Sequence, residues 1–486
     1  MHLNNVSECV REYMASKRFT IHVAEPELVR PEKPTPCEFK YLSNIDNQLG
    51  LRNHIPFAHI YRLQKGGSSA DPVRLVRRAL SRALVYYYPL AGRLRHTENE
   101  KLVVECTGEG VLFREADADA TIEQLKQTRI GFVPPFPQWD RLLVDDVYGS
   151  FSVTDSPLLR MQVTRFACGG FVLAYSFNHC VCDAAGALQF ITAVAELARN
   201  PHLPNPSLIP VWSRESLIPG SPPSISFSHP EYENPKPNKI YHPSDFHTHM
   251  QSSLFLPQAA VSAIKTLAGA SASFDAVAAL FWRSRARALG LGNTDIARFL
   301  FPVDTRYLQG ISPLPKCYYG AAVVFPCVSV PVEELSQQPI SYAASKIAMT
   351  KQLASQPEYR SSVIDYLEVY QGKVGFRGGK EAFVISDQSK LRFTDVDFGW
   401  GRAVYGGPGR ARTGNEPGMV AAVVSHRLEN GEEGLLLIFT MTNEALDSFH
   451  NEVLETVAAA IEVEGKNKIQ SRGISSGKAS AVKSAL

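Results

Sequence analysis

Residues His179-Cys180-Val181-Cys182-Asp183 bring an imidazole, two thiols and a carboxylate into five positions. They follow a β-prone run, FVLAYSF (171–177), and precede a helical pattern, so His179 stands where a strand ends and the chain turns. Three readings are open. A metal site would draw on His179, Cys180, Cys182 and Asp183, but these crowd a tetrahedral shell and no second cluster at zinc spacing follows. A core histidine is the plain structural alternative. In the third reading His179 is a general base and H-x-x-x-D sets a carboxylate four positions on, able to fix a loop instead of relaying protons.

Other clusters carry less. His242, His247 and His249 with Asp245 read as solvated side chains after a Pro-rich loop rather than metal ligands. Gly473-Ile474-Ser475-Ser476-Gly477 satisfies G-x-S-x-G, but a nucleophile elbow needs a strand before it and a helix after it. Gly406-Gly407-Pro408-Gly409 is turn chemistry without the Lys-Ser/Thr of a phosphate loop.

Alternating helices and strands must position the His179 run. Asp71 caps a helix with Pro72 at its first position, and Val73, Val76, Leu80 and Leu84 recur on one face. After Asp183, Leu188, Ile191, Val194 and Ala198 do the same. Further on, 274–289 reads as a helix, and MVAAVVSH and GLLLIFTM flank a hairpin turn at Asn430-Gly431. A closing helix over 444–464 aligns Leu446, Phe449, Val453, Val457 and Ile461. Pro201 to Pro243 holds 11 of the 32 prolines, which fits neither a helix interior nor a central strand. The reading is an α/β protein of two similar-sized domains: 1–200, a Pro-rich crossover 201–245, then 246–465. The tail 466–486, with five basic and no acidic residues, is expected to be disordered.

Composition excludes other classes. With 486 residues, about two to four domains are expected. Fifty Lys and Arg against 48 Asp and Glu leave +2, which removes the electrostatic case for a nucleic-acid binder. The eight scattered cysteines fit reduced thiols in a cytoplasmic setting. The N-terminus lacks a signal-peptide apolar region, and no run reaches the roughly 18 apolar residues of a membrane span. Ser484-Ala485-Leu486 differs from the peroxisomal S-K-L address at its basic position, so peroxisomal import is only a weak alternative.

A second motif, Asp397-Phe398-Gly399-Trp400-Gly401, lies about 215 residues beyond the first. Together H-C-V-C-D-A-A-G and D-F-G-W-G resemble the hallmarks of the plant BAHD acyl-CoA-dependent acyltransferases. PLAGRL (89–94), FDAVAALFWRSRARAL and PVDTR (302–306) extend the likeness over roughly 20–463. The segments EPELVRPEKPTPCEFKYLSNIDNQLGLR and DFGWGRAVYGGP are most similar to the benzyl alcohol benzoyltransferase and alcohol acyltransferase subgroup.

The resemblance implies two acyltransferase-like domains with a tunnel between them, acyl-CoA as co-substrate and a small alcohol as acceptor. It implies no permanently bound cofactor, no metal and a monomer. His179 becomes the general base of a direct transfer of an acyl group, benzoyl or acetyl, to a hydroxyl. Asp183 becomes a site-shaping partner of Arg306, with direct orientation of the imidazole as the lesser reading. Asp397 is expected as a loop anchor, Trp400 as a contact to the oxyanion, and Ser273, Tyr319 and Gly320 near the CoA channel. The alternatives are a non-catalytic acyl-CoA- or partner-binding relative, an N-acyltransferase acting on an amine, and a metal-dependent hydrolase. Two departures from the family pattern, Ala321-Ala322-Val323 and Met441-Thr442, leave open local hydrogen bonding, acceptor choice and whether the acceptor pocket or only its rim is reshaped. CoA is strongly anionic, so a local basic rim is expected inside the overall +2.

Overall fold

The computed structural model describes residues 19–64, 70–126, 131–144, 153–232, 248–308, 313–370, 379–411 and 418–483, the last with side chains to 466. Two mixed sheets organise it. The first has seven strands, in the order Ile21–Val23, Val111–Ala118, Leu159–Phe166, Phe171–Asn178, His54–Tyr61 and Tyr405–Pro408, with Glu27–Val29 also pairing Val111–Ala118. The second has six, in the order His249–Pro257, Glu433–Thr442, Val420–Arg427, Ala382–Asp387, Ile296–Leu300 and Cys327–Pro331.

Phe171–Asn178 is buried at every position, which explains its continuous apolar run. Phe171, Leu173, Tyr175 and Phe177 face helices Pro72–Tyr86 and Ala184–Arg199 in one core. Val172 and Ala174 face the other way, into a core that also takes Val424, Leu436 and Ile438 from the second sheet. The two sheets therefore share a hydrophobic layer.

The expected caps and faces are present. The Asp71 carboxylate accepts from the Val73 amide at 3.1 Å. Val73, Val76, Leu80 and Leu84 are buried, each contributing about 1.5–3 kcal/mol. Ile191, Val194 and Ala198 are buried while Leu188 is half-buried. Strands Val420–Arg427 and Glu433–Thr442 form the expected hairpin, with Gly431 at φ 89°.

Several expectations change. Tyr405–Pro408 pairs antiparallel with His54–Tyr61, and Phe393, Val396, Phe398 and Trp400 join the first core, so 246–465 is not one packing unit. The pairing strand's glycines let it lie flat on the first sheet: a Cβ at Gly406 would come 2.9 Å from the Phe393 backbone. The crossover is more than a linker, since Val211 bridges to Tyr318 and Asp365 accepts from the Gly220 and Ser224 amides. The closing helix runs Asn443–Lys483, where a disordered tail was expected from Lys466; no proline interrupts it. Ala460 is buried, and Ile461 is 48% exposed instead of buried.

Candidate active site

The strand register sets the place of His179. Asn178 pairs with His54, and the His179 amide then donates to the Asn53 carbonyl at 2.8 Å. The chain turns at once: the Asn178 side chain accepts from the Cys180 amide, and its carbonyl accepts from Val181. Asp183 then caps helix Ala184–Arg199, accepting from the Gly186 amide at 3.0 Å. A five-residue loop is thus held between a central strand and a helix N-terminus.

His179 and Asp183 line a cavity of roughly 290 Å³ at the seam between the sheets. Phe57 and Phe177 line it from the first sheet and Val384, Val420 and Ala422 from the second, with Leu51, Phe325, Met419 and Leu391 completing the apolar wall. Its polar lining, besides His179 and Asp183, comes from Asp304, Arg306, Ser386, Asp387, Gln388, Lys390 and Arg410. Burial pushes the His179 imidazole below its ordinary value, partly offset by the charges of Asp183 and Asp46. A neutral imidazole facing an apolar cavity is the form a general base needs. Its Nδ1 has no hydrogen-bond partner among the described residues.

Asp183 points away from the imidazole. Its Oδ1 accepts from the Gly186 amide and from Arg306 Nη2 at 2.7 Å, and its Oδ2 accepts from the Ala322 amide at 3.1 Å. Burial opposes its charge, but Arg306 and these amides hold the carboxyl below its usual range. With both oxygens committed, Asp183 serves loop and interface geometry, and direct orientation of His179 is not what the structure shows.

The D-F-G-W-G segment sits elsewhere. Asp397 Oδ1 accepts from the Gly399 and Gly401 amides at 2.7 and 2.8 Å, the pattern of a loop anchor. Arg199, in the last turn of the helix that Asp183 caps, bonds the Asp397 carbonyl. That helix has 16 residues, so the two motifs are held about 24 Å apart by one rod. Trp400 corrects its expected role as an oxyanion contact: its single N–H donates to the Gly169 carbonyl at 3.0 Å. Gly169 precedes the eight-residue strand whose other end leads to His179, about 25 Å away.

Tyr319 and Gly320 are likewise not cavity walls. The Gly320 carbonyl accepts from Arg306 at 2.6 Å, and Tyr319 packs edge-on against Tyr87 at 5.1 Å. They brace the motif loop. Ser273 begins helix Ser273–Ala288, half-buried and outside the cavity lining. Of the two departures, Ala321 is wholly buried with its amide donating to Asp46, and Met441 lies in the second core. Neither side chain reaches the cavity.

The sequence reading missed Asp46 and Arg214. An acid in the otherwise uncharged run Ser43-Asn44-Ile45-Asp46-Asn47-Gln48 and an arginine two residues after Trp212 were the available signals, the second masked by the prolines. Beside the cavity lies a wider cleft sharing Lys390 and Leu391, with Arg392, Arg402 and Arg427 on its walls. A cationic rim of the expected kind is therefore present, offset in part by Asp395 and Glu429. Among the described residues, no group of three or more His, Cys, Asp or Glu is placed to hold a metal, and His242, Asp245 and His247 lie outside them.

Comparisons with known proteins agree with this architecture. Benzyl alcohol O-benzoyltransferase of Nicotiana tabacum is 39% identical over 440 residues, 90% of this chain and 93% of that protein. A 13-hydroxylupanine O-tigloyltransferase of Lupinus albus is 40% identical over 445 residues, covering 90% and 94%. The crystal structure of vinorine synthase superposes with a TM-score of 0.69 at 20% identity, over 90% of this chain and 98% of that one. TRI101 of F. sporotrichioides, complexed with coenzyme A and T-2, gives 0.62 at 17%, over 84% and 96%. The transferase family model matches residues 19–456. A histidine loop at a two-sheet seam, an arginine brace and a distant aromatic anchor are thus features of a chain that belongs to the transferase family of BAHD acyl-CoA-dependent acyltransferases.

Proposed function

We propose that this acyl-CoA-dependent acyltransferase moves a small aromatic or short-chain acyl group, benzoyl or acetyl, to the hydroxyl of a small alcohol, with His179 as general base. The observation that carries the reading is a half-buried His179 imidazole, kept neutral by desolvation, that lines a mainly apolar cavity at the seam. An alcohol is a poor nucleophile and a thioester a good electrophile, so the main need is removal of the hydroxyl proton as attack proceeds. His179 takes that proton while the oxygen bonds the thioester carbon. The tetrahedral intermediate collapses with loss of the CoA thiolate, which recovers the proton from the imidazolium, leaving ester and CoA thiol.

An apolar cavity of about 150 Å³ accepts benzene. The roughly 290 Å³ here therefore suits an aromatic acyl group and a small alcohol together. The benzyl alcohol and tigloyl relatives point the same way. A monomer is the working unit in this reading, because both walls of the cavity come from one chain. The cytosol fits the seven free cysteines among the described residues, two of them in the motif loop. Among the described residues no helix is long and apolar enough to cross a membrane.

The test is to incubate purified protein, with and without EDTA, with a panel of acyl-CoAs and alcohols, following thiol release and ester mass beside His179→Ala. EDTA-insensitive ester formation that disappears with His179→Ala supports the reading. Ester formation that survives the substitution, or no ester from any pair, overturns it.

A further inference from the structure

Arg214 belongs to the Pro-rich crossover, yet it is only 3% exposed and lies directly under the motif loop. Its Nη2 donates to the Val181 carbonyl at 2.7 Å, midway between His179 and Asp183 in sequence. Its Nη1 donates to the Trp212 carbonyl at 2.9 Å, and Nε stands 3.2 Å from Asp46 Oδ2. The guanidinium lies 3.8 Å from the Trp212 ring centre and about 5 Å from those of Tyr318 and Tyr319. Both terminal nitrogens of this arginine are thus fixed by carbonyls, while Nε meets Asp46 as an ion pair without a hydrogen bond.

Its charge partner is equally fixed. Asp46 is wholly buried, and its Oδ2 accepts from the Ser43 amide and hydroxyl. Its Oδ1 accepts from the Ala321 amide at 3.0 Å. The next amide, Ala322, donates to Asp183. The strip 317–322 therefore receives both acids, and the crossover joins it through the Val211 amide on the Cys317 carbonyl. A Cβ at Gly320 would sit 2.4 Å from Arg214 Cζ, so the strip's glycine makes room for the guanidinium.

The motif loop thus has two guanidinium contacts. Arg306 takes the carboxylate at its end, and Arg214 takes a backbone carbonyl at its middle. We propose that Arg214 is a positioning residue for acyl transfer, holding Val181 so that the His179 imidazole stays aimed into the cavity. It touches neither substrate nor imidazole in this account and acts through the loop. The proposal rests on His179 as the base; displacing a reacting group by about 1 Å can cost around 10²-fold in rate.

The experiment compares Arg214→Gln, Arg214→Lys and Arg214→Gln/Asp46→Asn with wild type. The double variant removes the acid that a lone Arg214 substitution would leave buried and unpaired. Kinetics are measured with an acyl-CoA and alcohol that the wild type uses, beside the imidazole NMR signal of His179, assigned by its absence in His179→Ala. Expected are a kcat lower by about 10²-fold in Arg214→Gln and in the double variant, with KM changed less than about threefold. The His179 signal shifts with them, and Arg214→Lys recovers part of kcat. A folded double variant with kcat within about twofold of wild type, an effect confined to KM, or an unmoved His179 signal overturns the proposal. The NMR reading needs no turnover, so failure of the wild type to make ester sinks the general-base reading while this one is still decided.

Discussion

Asp183 and Arg306 lie 123 positions apart in sequence and meet at 2.7 Å across the seam, so the end of the motif loop is fixed by the other half of the chain. Both side chains are at most 8% exposed. Asp183→Asn should leave Arg306 with only the half-exposed Asp304 as charge partner, so the loss should approach the about 3–5 kcal/mol typical of breaking a buried pair. Denaturant unfolding should show that loss, and Asp183→Asn/Arg306→Met should recover part of it. Additive losses in the double variant would mean that the pair contributes nothing as a pair.

His179→Ala should behave differently. It removes a side chain with an unpartnered nitrogen at a cavity wall, so the thermal midpoint should stay within a few degrees. kcat should fall about 10²- to 10⁴-fold. A large stability loss with activity to match would recast His179 as a packing residue.

The pH response follows from burial. His179 is held below its ordinary value, so the acid limb of kcat/KM should lie below about pH 6.5. Stability has the same sign. His59 is wholly buried with its value lowered to about 3 by desolvation, so below about pH 6.5 the unfolded chain binds the proton and the folded chain refuses it. Unfolding free energy should therefore fall as pH drops from 6.5 toward 3, by on the order of 1–2 kcal/mol from this residue at pH 5. Urea titrations at pH 7.5 and 5, with His59→Gln as reference, measure it.

Trp400→Phe separates anchoring from chemistry. It removes the bond to the Gly169 carbonyl but keeps most of the ring packed on Phe171. Stability should drop by about 1–3 kcal/mol while kcat stays within a few-fold. A selective collapse of kcat with unchanged stability would restore the oxyanion role.

Gly186→Ala tests the fit of the motif helix. A Cβ there would stand 2.0 Å from the Tyr319 carbonyl oxygen, which neither backbone can yield without moving Asp183. Activity and thermal midpoint should fall together; an unchanged enzyme would show that the helix start is free to shift.

Local features were legible in the sequence because their causes are local. Asp71 and Pro72 announce a helix start, and the apolar spacing of Val73, Val76, Leu80 and Leu84 announces its buried face. His179 and Asp183 stood out because strand, loop and helix follow one another within a few residues. Trp400 was misplaced for the opposite reason: its partner is a turn carbonyl at Gly169, and nothing in D-F-G-W-G specifies it. Arg214 and Asp46 escaped because each is ordinary in its own segment and acquires meaning only when the strip 317–322 lies between them. The excursion of Tyr405–Pro408 onto the first sheet is likewise a pairing between distant stretches, invisible to periodicity.

That excursion bears on how the protein comes into being. Chains emerge from the ribosome N-terminus first, and domains usually fold in that order as they appear. Here the sheet carrying His179 remains one strand short until the Tyr405–Pro408 stretch has been made, leaving the His54–Tyr61 edge unpaired for most of synthesis. Completion of that sheet therefore waits on the Tyr405–Pro408 stretch, and a nascent chain truncated before it should bind chaperones more than one that extends past it.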